Sequence, residues 1–213
     1  VMSVPAVRLS LMITENWIQA EGVIGIFPAN VIHDDDIEIL DPQSKSVIAI
    51  SHQLRQQREK SAGLPYNSLA DFIAPKSSGK QDYIGAFAVT AGVGVEKKAK
   101  ELEAALDDYN AILLKSLADR MAEAFTEYLH DKIRTEYWGY NKTTFTNDDL
   151  IAEKYTGIRP APGNPAYPDH TEKLTKFDLL KVPQHISMSL TESMAMYPAA
   201  SVSGWYFSHT FGE

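Results

Sequence analysis

Apolar and polar positions divide this chain into stretches of different period. Gly22–Phe27 (GVIGIF) is a short apolar run closed by Pro28, the pattern of a buried strand. Ile37–Leu40 (IEIL) and Val47–Ile50 (VIAI) flank Asp41-Pro42-Gln43-Ser44, which predicts a hairpin. Tyr83–Val89 (YIGAFAV) is a further buried strand by composition. Ser187–Leu190 and Ser201–Phe207 alternate as strands do, although Ser203, Gly204 and Ser208 interrupt the pattern. Val1–Ala20 fits no clean period, and a partial helix ending near Gly22 is expected there.

The strongest helical signal lies in Glu96–Lys132. Leu114, Leu117, Met121, Phe125 and Tyr128 step by three and four, which makes an apolar stripe. Asp107-Asp108 allows a break into two helices, and Glu123 falls off the stripe's centre, on the solvated side. His52–Lys60 (HQLRQQREK) is polar and helix-prone, as is His170–Leu180. Tyr137–Phe145 is a loop rich in aromatics. Thr146 at an N-cap with Asp149 at N3 imitates a capping box. The helix it opens should run through Asp148–Tyr155 and stop at Gly157.

Arg159–Pro168 can be neither helix nor central strand. Prolines at 160, 162, 165 and 168 remove amide donors and fix φ repeatedly, so this is a stiff, extended loop. Several other chemistries are excluded. Gly92-Val93-Gly94 follows a strand, but the third glycine of a dinucleotide fingerprint would fall on Lys97. His33–Asp36 (HDDD) lacks the glycine and terminal glutamate of a calcium loop and is a solvated turn. Histidines at 33, 52, 130, 170, 185 and 209 show no metal-ligand spacing, so no metal site is expected.

Composition narrows the class. With 213 residues, 44% hydrophobic and 23% charged, the chain is long enough to bury a core as one domain. It has no cysteine, which removes disulfides, zinc ribbons and thiolate chemistry. No apolar run nears the roughly 20 residues of a membrane span. Nor does a charged-then-apolar leader open the chain, and a cytoplasmic location is expected. Twenty Lys and Arg against 28 Asp and Glu give a net charge of −8, which argues against nucleic acid or an anionic membrane as partner.

A stiff loop suits close ligand contact because little order is gained on binding. Arg159 opens it, and a guanidinium fork can clamp a carboxylate in bidentate fashion. Ala161 and Gly163 are small enough for backbone to approach a flat ring. This describes a pocket for a small anion-bearing ligand. An ion pair from Arg159 to Glu153 or Asp169 in a purely structural loop is the other reading of the same residues.

Gly157–Lys173 (GIRPAPGNPAYPDHTEK) resembles, nearly unbroken, the fingerprint of the S-adenosylmethionine-binding activation domain of cobalamin-dependent methionine synthase. Supporting segments are Gly22–Asn30, Leu54–Lys60, Leu69–Gly92, Leu117–His130 and Leu190–His209 (LTESMAMYPAASVSGWYFSH), covering all but roughly the first twenty residues. The resemblance implies an α+β fold: a single domain with a bent antiparallel sheet flanked by helices and a shallow ligand groove. It implies part of a methyltransferase that moves methyl from methyltetrahydrofolate to homocysteine on other modules. Here S-adenosylmethionine would be bound for reductive methylation of cob(II)alamin. The implied partners are the cobalamin-binding domain, which mainly holds the cobalamin, and a flavodoxin-like electron donor.

Carried over by that resemblance, Arg159 contacts the ligand and the backbones of Ala161 and Gly163 approach it. Glu123 and Glu153 match acidic groove residues that meet its positive charges. No side chain matches a nucleophile or general base. Asn164 stands where the family usually has tyrosine on the cobalamin-facing side. The family's closing aromatic pair would lie beyond Glu213 and an acidic contact upstream of Val1, so the chain is expected to be an activation domain incomplete at both ends, folded but weak in binding. A stand-alone adaptor for a separate corrinoid enzyme, without turnover, and a fold relative that no longer binds S-adenosylmethionine are the alternatives.

Overall fold

The structure is a computed structural model that describes residues 12–209. Its strands are β1 (Gln19–Ile32), β2 (Asp36–Leu40), β3 (Val47–His52), β4 (Asp82–Val93), β5 (Ser189–Leu190), β6 (Met196–Tyr197) and β7 (Ser201–Tyr206). Its α-helices are α1 (Val95–Ala104), α2 (Asp108–Lys132), α3 (Asn147–Ile151), α4 (Glu172–Leu180) and α5 (Val182–His185). One antiparallel sheet has the order β3-β2-β1-β4-β7, and β5 pairs with β6 in a two-stranded ribbon. The fold is α+β, as expected.

Local chemistry explains the hairpins. β1 and β2 pair from Ala29↔Ile39 to Ile32↔Asp36, and His33 takes φ 56° in the turn between them. Between β2 and β3, Asp41 Oδ1 accepts from the backbone N–H of Gln43 (2.9 Å) and Ser44 (2.7 Å). These bonds hold the Asp41 carboxyl below the usual carboxylate range. Asp35 pairs with Arg55 at 2.7 Å and Asp36 with His52 at 2.7 Å, so the acidic turn is engaged in ion pairs.

The chain divides into two compact units. Unit 1 takes 12–23, Ala88–Tyr128 and Lys181–Val202; unit 2 takes Ile24–Phe87, Leu129–Leu180 and 203–209. The core of unit 1 joins Met12, Ile18, Ala91, Val95 and Ala99 to Ala111, Leu114, Ala118 and Ala122 of α2. Unit 2 buries Ile37, Ile39, Ile84 and Phe87, with Phe87 stacked on Tyr206 at a centroid distance of 4.6 Å.

Several sequence expectations are corrected. β1 continues through Pro28; its ladder with β2 begins one residue later, at Ala29, so no bond to β2 needs the missing N–H. Of Val1–Ala20, residues 1–11 lie outside the described region; 12–14 are helical, but Gln19 already begins β1, so Gly22 lies in a strand. His52–Lys60 is not helical: Arg55 is tied to Asp71 and the Tyr66 carbonyl, and Gln56 Oε1 accepts from Asn67 N–H. Those tertiary bonds outweigh a modest helix propensity. The break before Asp108 is present. On α2, however, the buried line runs through Ala111, Leu114, Ala118 and Ala122, and Tyr128 is 57% exposed.

Candidate ligand pocket

The pocket is built in unit 2 by the chain that follows α2. Thr146 caps α3 as expected: its Oγ1 accepts from Asp149 N–H at 3.2 Å, and Asp149 Oδ2 accepts from Thr146 N–H at 3.2 Å. The helix is shorter than expected and ends at Ile151, because Glu153 turns into the left-handed region at φ 50°. Gly157 is therefore not its stop; it is buried, at φ 97°. Next, Ile158 exchanges two backbone hydrogen bonds with Phe207, both 3.0 Å, which fixes the start of the proline loop against the end of β7.

The loop's far end folds back on itself. Gly163 N–H donates to the Tyr167 carbonyl at 2.8 Å, and Tyr167 N–H donates to Asn164 O at 2.8 Å. Gly163 sits at φ 104°, and a Cβ there would lie 2.7 Å from the His170 ring, so only glycine fits without a shift.

Arg159, Glu153 and Asn164 line one cavity of about 880 Å³. Arg55 and Phe72 line it as well. Arg55 is held by two bonds of 2.9 Å to Asp71, whose own 3-10 turn, Leu69–Phe72, is closed by a Ser68/Asp71 capping box. The pairing pulls the Asp71 carboxyl below its ordinary pKa. Leu54–Lys60 and Leu69–Gly92 support the family resemblance, but no site residue is expected in them from the sequence. The signal available was the Ser-x-x-Asp cap beside an aromatic, within reach of one arginine.

The interior of this unit is polar and aromatic around His130 and Arg134. His130 is fully buried, stacked on Tyr206 and edge-on to Tyr155, each at 5.1 Å. Burial first, then the charges of Arg134 and Arg159, hold its pKa down to about 2, so the ring is neutral. The Arg134 guanidinium, also fully buried, lies 3.9 Å over the Tyr155 ring. Burial likewise pushes the Tyr140 hydroxyl up.

Ala161 and Gly163 belong to the same loop but do not line the cavity. Glu123 is exposed on α2 in unit 1, where it lines a groove of about 440 Å³ with Arg120 and Ser201. Among the described residues no group of three His, Cys, Asp or Glu could hold a metal ion, and no helix is long and apolar enough to cross a membrane.

An α+β sheet with a proline-stiffened arginine loop defines the class, and the chain belongs to the family of vitamin B12 dependent methionine synthase activation domains, which it matches over residues 3–212. It is similar to a solved structure described as the MetH reactivation domain bound to AdoHcy. The two share 54% sequence identity with a TM-score of 0.93, over 98% of this chain and 64% of that one. The chain thus spans 64% of the length of that relative.

Proposed function

We propose that this chain is the part of a cobalamin-dependent methionine synthase, a methyltransferase, that binds S-adenosylmethionine to reactivate the cobalamin. The observation that carries the reading is the 54% identity with a reactivation domain described as bound to AdoHcy, the demethylated form of that ligand. The cavity supports it. Its volume of about 880 Å³ suits a small molecule, and Arg159 and Glu153 offer opposite charges to a zwitterion. Arg159 clamps the ligand carboxylate, Glu153 meets a positive centre, and the backbones of Ala161 and Gly163, in the same loop as Arg159, approach the ligand. Asn164 faces the cobalamin-binding domain with less aromatic area than a tyrosine would offer.

Cobalamin, held mainly by that other domain, supplies the metal that accepts the methyl group. This chain supplies proximity and orientation, with no side chain acting as nucleophile or base. Electrons come from a flavodoxin-like donor, and the work is done in the cytoplasm.

Calorimetric titration with S-adenosylmethionine tests the assignment. Arg159→Ala removes a charge-assisted contact of about 1.5–3 kcal/mol and should weaken binding by about one to two decades. Equal affinity in parent and variant would sink it.

A further inference from the structure

The proline loop is held at both ends by a single residue of β7. Trp205 N–H donates to the Pro160 carbonyl at 3.1 Å, just after Arg159. Its indole Nε1–H donates to the Tyr167 hydroxyl at 2.9 Å, at the loop's other end. Both side chains are buried, Trp205 at 0% and Tyr167 at 1% exposure. The neighbouring Gly204 makes the close approach possible, since a Cβ there would strike the same Pro160 carbonyl.

The Tyr167 hydroxyl is a fully used hub. A phenol has one proton and two lone pairs. Here it accepts from Trp205 and from Lys176 Nζ (3.0 Å) and donates to Glu172 Oε2 (3.0 Å). Glu172 also accepts from Ser51 Oγ at 2.7 Å and from His52 N–H at 3.2 Å. Lys176 donates further to the Glu172 carbonyl at 3.1 Å and faces the Tyr167 and Trp205 rings at 4.6 and 4.9 Å. Through its backbone, Tyr167 in turn holds Gly163 and Asn164.

We propose that Trp205 and Tyr167 are positioning residues that clamp the loop from Arg159 to Asn164 in its ligand-receiving form. The proposal rests on the S-adenosylmethionine reading above. The clamp is made of bonds within this chain, so the order it gives the loop need not come from ligand contacts.

Tyr167→Phe removes the hydroxyl and keeps the ring. Affinity for S-adenosylmethionine should fall at least about tenfold, and exchange of the Gly163 amide should quicken by a similar factor, because the Trp205 bond is lost together with those to Lys176 and Glu172. Trp205→Phe cuts the same bond from the other side and should act alike, serving also if Tyr167→Phe fails to fold. The double variant should lose no more affinity than Tyr167→Phe alone, because the bond from Trp205 is already among those the missing hydroxyl made. A core variant at Ile39, to Val or Ala, chosen to match the loss of Tm, should keep parental affinity.

Losses below about threefold for both single variants, additive losses in the double variant, or an equal loss in the Ile39 control would overturn the clamp. Failure of the unaltered protein to bind S-adenosylmethionine would show before any variant is made. It would end the functional reading and the proposal together, whereas unchanged affinity with faster Gly163 exchange would end the proposal alone.

Discussion

The two units close their interiors with different materials. In unit 1 the buried set is small and apolar, with alanines at 91, 99, 111, 118 and 122, and its buried polar residues are Thr90, Asn110 and Thr126. In unit 2, Glu38, His130, Arg134, Glu172, Lys173 and Lys176 are all buried. Burying charge is costly and adds little stability over a packed apolar core. Its concentration in the unit that carries the proline loop indicates that the polar interior serves orientation. The alanine interior serves close packing of a long helix.

The contrast can be broken most forcefully at Glu172. Glu172→Ala leaves Lys176 without its nearby carboxylate, and Ser51, His52 and Tyr167 without their acceptor. Unfolding by urea should show a loss of about 3–5 kcal/mol, the usual result of breaking a buried charged group's partnership. A loss under about 1 kcal/mol, the worth of an ordinary hydrogen bond, would mean that the network is ornamental. Ala118→Leu probes the other interior. Added methylenes in a filled core cost about 1–3 kcal/mol, so Tm should drop, while a neutral result would reveal slack around α2.

The smallest effect is in pH dependence. Burial pushes Lys176 down to about 7; Glu172 partly offsets this, and the charge of Lys173 adds to it. An unfolded lysine keeps its proton up to its ordinary pKa of 10.5. Between those limits the unfolded chain binds more protons, so this group makes stability rise as pH increases from about 7 towards 10. The slope is at most about 1.4 kcal/mol per pH unit. Urea titrations at pH 7, 8 and 9 should show a flatter trend for Lys176→Met. Parallel trends would place the lysine's proton elsewhere in the balance.

What the sequence disclosed depended on how strongly each residue constrains backbone. Prolines at 160, 162, 165 and 168 announced the loop, and Thr146 with Asp149 announced a helix start, because both act within a few residues. The β2–β3 hairpin and the break before Asp108 were legible for the same reason. The α2 stripe was legible in part: Leu114 is buried and Leu117 and Met121 pack against the core, but Ala111, Ala118 and Ala122, which weigh little in a hydrophobic pattern, form its centre and Tyr128 is exposed. Arg55, Tyr167, Lys176 and Trp205 were not singled out. Their partners lie 16 and 38 residues away in the cases of Arg55–Asp71 and Trp205–Tyr167, and a lysine in a helix ordinarily faces water.

The way the chain threads its two units has a consequence for inheritance. Of the five crossings between them, four fall inside regular elements: Val23 to Ile24 in β1, Phe87 to Ala88 in β4, Tyr128 to Leu129 in α2 and Val202 to Ser203 in β7. Separable domains are joined instead by exposed linkers that few contacts cross. No single recombination event can therefore copy, exchange or discard one unit and leave the other whole. A contiguous stretch of gene that encodes the arginine loop and the end of β7 that it pairs with therefore also encodes Lys181–Val202 of unit 1.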